Sequence, residues 1–184
     1  MQMNANKLLD EIIEETNSHI ATVEKLFSKT ESELNWKENS ESWSIFECLE
    51  HLNLYGNFYL PEIEKTINNS KFVAENEFKS GILGNYFAKS MLPKEKMNKM
   101  KTANDKNPIN STLNKETIET FVSQQTKFIE LLKKAKNVNL TKTKTKISIS
   151  NLIKLRLGDT FRFLNNHTFR HLKQIERIEK HAYR

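Results

Sequence analysis

The stretch from Ser44 to Ile67 constrains the fold of this chain more than any other. It begins with Ser44-Ile45-Phe46-Glu47, where the serine hydroxyl and the glutamate carboxylate can each accept a backbone amide of the first helical turn. The apolar residues that follow cover more than half of a helix circumference: Phe46, Leu49, Leu52, Leu54, Tyr55, Phe58, Tyr59, Ile63 and Ile67. A helix with so little polar surface is expected at the centre of a bundle.

Three further stretches, residues 4–29, 115–136 and 160–181, carry apolar residues at three- and four-residue spacing and are predicted to be long helices. Only four glycines and three prolines occur among 184 residues, which favours long helices over tight turns. We therefore predict an all-α fold: one domain over residues 1–184, built as a four-helix bundle, with a long irregular connection between the second and third helices.

That connection, residues 68–113, is too apolar for a free linker. We expect a short helix around residues 81–91 and a lysine-rich excursion over 94–106, and the roles of lid, dimer contact and packing segment remain open. Residues 141–150 alternate Thr with Lys and then Ile with Ser, and we interpret them as a second connection. A brief helical turn is predicted to start at Ser150 or Asn151 and to end at Gly158, with Asp159 capping the last helix.

Three histidines are the candidate functional residues of this chain. His167 and His171 lie one turn apart on the apolar face of the last helix, with Cβ atoms about 6 Å apart. Buried imidazoles need partners for their ring nitrogens, and His51 on the apolar second helix is the third candidate. Three neutral imidazoles suit Zn, Ni, Fe or Co ions and leave coordination positions for water or substrate. The alternative is a set of buried histidines with purely structural roles.

Two blocks of the sequence resemble a known family. The stretch Trp43-Ser44-Ile45-Phe46-Glu47-Cys48-Leu49-Glu50-His51-Leu52 resembles the tryptophan-serine-isoleucine, glutamate and leucine-histidine-leucine signature of the DinB/YfiT-like superfamily. The stretch from His167 to Ile175 is similar to that family's second signature, His-x3-His followed by Gln-Ile. The resemblance implies a four-helix bundle with up-down-down-up order, often a homodimer, and a divalent metal ion held here by His51, His167 and His171.

Two other residues are weaker candidates near the site, and no catalytic residue is assigned. Glu47, one turn before His51, could orient that histidine or act as a base, but its capping role explains it equally well. Gln174 could hydrogen-bond a ligand or a metal-bound water, or make a packing contact. Cys48 is expected to be a small buried hydrophobic residue rather than a ligand.

Two functions of different classes are consistent with such a site, and the resemblance implies the first of them. One is a metal-dependent enzyme, either a hydrolase or a transferase that uses a low-molecular-weight thiol, with a small-molecule substrate. The other is a non-catalytic protein whose metal ion holds the helices together or senses metal supply.

Charge and composition limit the kinds of partner and the cellular compartment that we expect for this protein. The net charge of +6 comes largely from lysines at residues 133–146, which no aromatic residues interleave, so we expect a solvated surface rather than a nucleic-acid site. One cysteine excludes an intramolecular disulfide. No apolar run approaches the roughly 20 residues of a membrane span, and the acidic residues soon after Met1 do not resemble a signal peptide. We expect a cytoplasmic protein without a membrane partner.

Overall fold

The computed structural model describes residues 1–93 and 102–182, and for Asn151 only the backbone. This part of the chain is mainly helical and also contains two small sheets. The α-helices are α1 (Ala5–Glu24), α2 (Glu31–Asn35), α3 (Ile45–Asn68), α4 (Ile82–Ser90), α5 (Glu116–Ala135) and α6 (Leu157–Ala182). The strands are β1 (Gln2–Asn4), β2 (Glu77–Lys79), β3 (Lys144–Ile147) and β4 (Ser150–Arg156). Short 3₁₀ helices occupy Lys25–Ser28 and Asn104–Lys106.

Local capping sets where the helices start. The Asn4 side chain accepts a hydrogen bond from the backbone N–H of Lys7 and begins α1. At α3 the predicted capping box is present, because Ser44 Oγ accepts from the Glu47 N–H at 3.2 Å and the Glu47 carboxylate accepts from the Ser44 N–H at 2.9 Å. These side chains satisfy backbone donors that have no partner inside the helix.

The four long helices pack around a shared core. Both α1 and α3 contact α5 and α6, and α4 packs on α6. As the sequence pattern predicted, α3 is buried along much of its length, with Phe46, Leu49 and Ile63 fully enclosed. Residues of α3 belong to both apolar clusters of the core. The histidine-bearing parts of α3 and α6 are therefore held in direct contact.

The structure corrects the prediction for residues 141–157. The Thr-Lys alternation is strand β3, and its antiparallel partner is β4, where we had predicted a helical turn. Helix α6 consequently begins at Leu157, so Gly158 lies inside its first turn. The Gly158 backbone packs so closely on the buried Phe78 ring that an added Cβ would come within 2.7 Å of it. The all-α expectation thus holds for the main elements but omitted the two sheets.

The described part of the connection between α3 and α5 contains the predicted short helix and one strand. Helix α4 confirms the short helix expected around residues 81–91. Strand β2 pairs with β1, with Gln2 opposite Lys79, and ties this connection to the start of α1. Of the predicted lysine-rich excursion, residues 94–101 lie outside the described residues. Asp159 is buried and accepts hydrogen bonds from Ser80 Oγ and the Gly81 N–H, which anchors the start of α4 on α6.

Within the described ranges, no helix combines the length and the apolar character that crossing a membrane requires.

Candidate metal centre

The three predicted histidines converge between α3 and α6. His51 Nε2 lies 3.2 Å from His167 Nε2, and His171 Nε2 lies 3.1 Å from the same atom. All three candidate ligand atoms fall within 4.8 Å of one another. The side chains are buried, with exposures of 3%, 5% and 7%. The i, i+4 spacing on α6 and the packing of α3 against it bring three ring nitrogens to one point.

Hydrogen bonds to the opposite ring nitrogens set the tautomers. Nδ1 of His51 donates to the backbone carbonyl of Lys106 at 2.6 Å, and Nδ1 of His171 donates to Oε1 of Gln174 at 3.0 Å. A neutral imidazole that carries its proton on Nδ1 presents a lone pair at Nε2. His51 and His171 therefore both direct lone pairs at His167, which can donate a proton to only one of them. One of these two lone pairs therefore has no donor within the cluster.

Two of the three nitrogen–nitrogen spacings fit a shared ion. Two imidazole nitrogens bonded to one ion at about 2.1 Å, at angles between about 90° and 110°, lie about 3.0–3.4 Å apart. The two Nε2–Nε2 distances given above fall inside that range. In metal sites, the second ring nitrogen of a metal-binding histidine usually donates a hydrogen bond to an oxygen atom. The hydrogen bonds from His51 to Lys106 and from His171 to Gln174 follow this pattern. The three residues could bind a divalent metal ion.

Burial keeps the imidazoles in the neutral form that binds metals. It lowers the pKa of His51 to about 4, although the Lys106 carbonyl opposes this shift and the Lys106 ammonium adds to it. Burial, followed by the neighbouring histidines, lowers the pKa values of His167 and His171 well below the usual value. Since a low-dielectric surrounding disfavours the imidazolium ion, all three rings are neutral at neutral pH.

Aromatic rings enclose the histidines. The Trp43 ring lies 5.9 Å from His171 in a stacked arrangement and 4.8 Å from His51. Tyr55 contacts the other side of His51, at 5.0 Å between ring centroids, and approaches His167 at 4.6 Å. Burial raises the pKa of Tyr55 to about 12, so its hydroxyl stays protonated. These rings restrict imidazole motion and keep bulk water from the cluster.

Glu47 is placed as a cap and as a brace for the connection before α5. One carboxylate oxygen completes the capping box with Ser44. The other accepts from Lys37 Nζ and from the Asn110 N–H, both at 2.6 Å. Asn110 adopts a left-handed conformation, with φ of 64°. Because both oxygens already accept hydrogen bonds, the geometry assigns Glu47 no contact with the histidine cluster.

Cys48 and a further buried histidine, His19, lie outside the cluster. Cys48 is fully buried, and burial, followed by the charge of Glu47, raises its thiol pKa, which fits the expected hydrophobic role. His19 is buried against Phe169, and its Nδ1 lacks a hydrogen-bond partner among the described residues.

Sequence reasoning missed the Lys106 carbonyl and Lys37. A backbone carbonyl on a connection 55 residues away from its histidine has no side-chain signature. Lys37 lies in a polar connection that carries no site motif, and only the folded chain brings its ammonium group to Glu47.

Free space beside the cluster is small. A cavity of about 30 Å³ lies between α3, α5 and α6, with Tyr55, Gly56, Gln124 and His167 among its lining residues. A space of this size holds about one or two water molecules. It connects the histidine cluster to a polar edge formed by the Gln124 amide.

The fold and this site define a mainly helical protein with a buried cluster of three histidines. A family model described as the DinB superfamily matches residues 8–175, which is most of the chain. The chain belongs to the DinB superfamily, and the family predicted from the two sequence signatures is confirmed. Neither the curated proteins nor the solved structures contain a significant match.

Proposed function

We propose that this chain is a divalent-metal-binding DinB-like protein whose ligands are His51, His167 and His171. The observation that carries the proposal is the convergence of three buried Nε2 atoms, two of which must present lone pairs. As part of the same proposal, the four long helices form the bundle of the family, with the ion between α3 and α6. Zn, Ni, Fe and Co ions all suit three imidazoles.

The proposed activity is a metal-dependent hydrolysis or the transfer of a low-molecular-weight thiol. A bound divalent ion would supply Lewis acidity that activates a water or a thiol. The protein supplies the rest. Lys106 and Gln174 orient two of the imidazoles, and the rings of Trp43 and Tyr55 limit the access of water. No side chain is assigned as general base, because Glu47 is engaged elsewhere.

Elemental analysis of the purified protein tests the metal site. We expect about one equivalent of a transition metal in the natural protein and a strong loss in each of the His51→Ala, His167→Ala and His171→Ala variants. His181→Ala is the matched control, since this histidine is exposed near the end of α6. Equal metal content in all four variants would contradict the site.

The enzymatic part has a separate test. A thiol-transferase should consume an electrophile such as monochlorobimane only when a thiol is present, and His51→Ala should abolish that reaction. A panel of esters tests the hydrolase. No turnover with several thiols, esters and metals, by a protein that retains its ion, would exclude these activities while leaving metal binding intact.

The small cavity favours a second candidate, a non-catalytic structural or sensor protein. A volume of about 30 Å³ leaves little room for a substrate beside His167. A large loss of thermal stability on chelation, with no turnover on the same panel, would support this role.

Homodimer formation is also proposed from the family resemblance. Sedimentation equilibrium of the natural protein tests it, and a monomer across the micromolar range would exclude it.

A further inference from the structure

The β3–β4 hairpin carries a row of cations on one face. In its register, Lys144 lies opposite Arg156 and Lys146 lies opposite Lys154. Residues two apart on a strand share a face, so these four side chains lie on the same side of the ribbon. The opposite side is buried and consists of Thr145, Ile147 and Leu155. Lys144, Lys146 and Lys154 on the cationic face are exposed to solvent, whereas Arg156 is half-buried and donates to the backbone carbonyl of Lys79.

Nothing within the hairpin balances this charge. Residues 140–158 contain five cations and no Asp or Glu. Among the described residues, none of the four facing cations forms an ion pair with a carboxylate. Glu62 accepts from the backbone N–H of Lys146 at 3.1 Å, and Glu75 pairs with the fifth cation, Lys142, at 3.0 Å. Like charges directly opposite each other destabilise a strand pair, and an anionic partner would relieve that repulsion.

Aliphatic side chains project beside these cations. The strand register shifts after Lys146, so β4 bulges near the turn. Leu152 is 95% exposed and Ile149 is 64% exposed, and Ile153 is also exposed. Three exposed aliphatic residues in one short turn and bulge form a tip that no other part of the described chain covers.

The neighbouring helix α4 extends the apolar surface. It packs beside β4 and carries Ile82 and Tyr86 one turn apart. Ile82 is 97% exposed and Tyr86 is also mostly exposed. A tyrosine with an apolar ring and a polar hydroxyl suits the boundary between lipid and water.

We propose that the basic face and aliphatic tip of this hairpin bind the surface of an anionic lipid bilayer. Lysines beside exposed aliphatic residues match such a surface, because headgroups pair with the cations while the aliphatic groups enter the interface. A nucleic acid would pair with the lysines but would leave the exposed Leu152 and Ile149 in water. A second copy would bring like charges together.

This proposal differs from the expectation of no membrane partner, which rested on the lack of a spanning segment. Attachment to a surface needs no such segment, and the cationic face becomes visible only through the strand register. The proposal is independent of the metal centre.

Co-sedimentation of the full-length protein with lipid vesicles tests the proposal. We expect binding to vesicles of phosphatidylcholine and phosphatidylglycerol in equal parts, little binding to phosphatidylcholine alone, and loss of binding at high salt. Removing two cations as Lys144→Gln with Lys154→Gln should weaken binding about 25-fold, at about fivefold for each charge. Leu152→Ser should weaken it at unchanged net charge.

A charge-matched control separates this face from general attraction. Lys25→Gln with Lys180→Gln removes the same charge from exposed sites outside the hairpin and should leave binding within about twofold. Equal weakening by both double variants would overturn the proposal, as would no binding to anionic vesicles at low salt. Salt-sensitive binding of duplex DNA without vesicle binding would instead assign the face to a nucleic acid. Circular dichroism confirms that each variant is folded.

Discussion

Replacing Glu47 by Gln distinguishes a simple helix cap from a brace of the connection before α5. Glutamine keeps a carbonyl oxygen for the Ser44 N–H, so the capping box survives in part. The second carboxylate oxygen of Glu47 accepts from the Lys37 ammonium and from the Asn110 N–H, both at 2.6 Å. In the glutamine variant, an NH₂ group would take the place of that oxygen and would face these two donors. Two donors would lose their acceptor.

The structure sets the size of the expected loss. Hydrogen bonds to charged groups contribute about 1.5–3 kcal/mol each. The Lys37 side chain is 21% exposed and also donates to Asn110 Oδ1, so water and that contact recover part of its share. The Asn110 N–H would have no such replacement. We expect a loss of about 3 kcal/mol in the free energy of unfolding, or a melting temperature about 6–12 °C lower.

Ser44→Ala is the matched comparison. It removes the hydroxyl that accepts from the Glu47 N–H at 3.2 Å but leaves the contacts to Lys37 and Asn110 in place. Loss of an N-cap side chain costs about 1 kcal/mol. Urea denaturation of both variants gives the two values. If Glu47→Gln costs no more than Ser44→Ala, Glu47 is only a cap and the brace is refuted.

The same variant should also weaken metal binding. The braced connection carries the Lys106 carbonyl, which accepts from Nδ1 of His51. Residues that orient a ligand typically affect metal affinity by about 10- to 100-fold, and we expect about tenfold in a competition titration with a chelator. Unchanged affinity in a destabilised Glu47→Gln variant would show that the brace supports the fold alone.

Three further predictions follow from other parts of the molecule. Burial lowers the pKa of His19 in the folded protein to about 4, from about 6.5 in the unfolded chain. Between pH 6.5 and about pH 4, the unfolded chain therefore binds a proton at this residue that the folded protein does not bind. The folded state therefore loses stability as the pH falls through that range. His19→Leu should remove about 3 kcal/mol of this loss, measured by urea denaturation at several pH values. If the unfolding free energies of the natural protein and the variant depend on pH in the same way, the prediction is wrong. Gly158→Ala should cost about 2 kcal/mol because its Cβ would lie 2.7 Å from the fully buried Phe78 ring. Gly56→Ala displaces the Gln124 amide from its hydrogen bonds to Asn53 O and Asn57 Oδ1, but the better helix propensity of alanine offsets part of that loss, so stability should change by less than about 1 kcal/mol. Similar costs for the two variants would contradict the packing argument. Chelation should lower the melting temperature by about 10 °C if free metal is near a thousandfold above its dissociation constant, and an unchanged melting temperature would count against a tightly bound ion.

Local sequence signals predicted most of the helical elements. The capping box at Ser44 and Glu47 marks the start of α3 to the residue, because both of its partners lie within one helical turn. The i, i+4 pair His167 and His171 shares a face for the same local reason. The assignment of His51 to their cluster rested on the apolar character of α3 and on the family resemblance, and the structure brings its Nε2 to 3.2 Å from His167.

The β3–β4 hairpin could not be predicted in this way. A short alternating run such as residues 141–150 becomes a strand only if a partner lies beside it, and the partner β4 also fits a helical turn by composition. Pairing, together with the buried positions of Thr145 and Leu155 on the protein side, decides between the two. The register then determines that four cations share one face.

The sequence by itself determined where the long helices lie, which histidines lie on their apolar faces and which family the chain resembles, because these depend on contacts within a few residues. Only the tertiary structure decided that the Lys106 carbonyl, 55 residues from His51, accepts the Nδ1 proton of His51, so that Nε2 of His51 faces His167. It also decided that Lys37 and Asn110 engage Glu47. Such contacts join distant backbone and side-chain groups, and their positions depend on how the whole core packs.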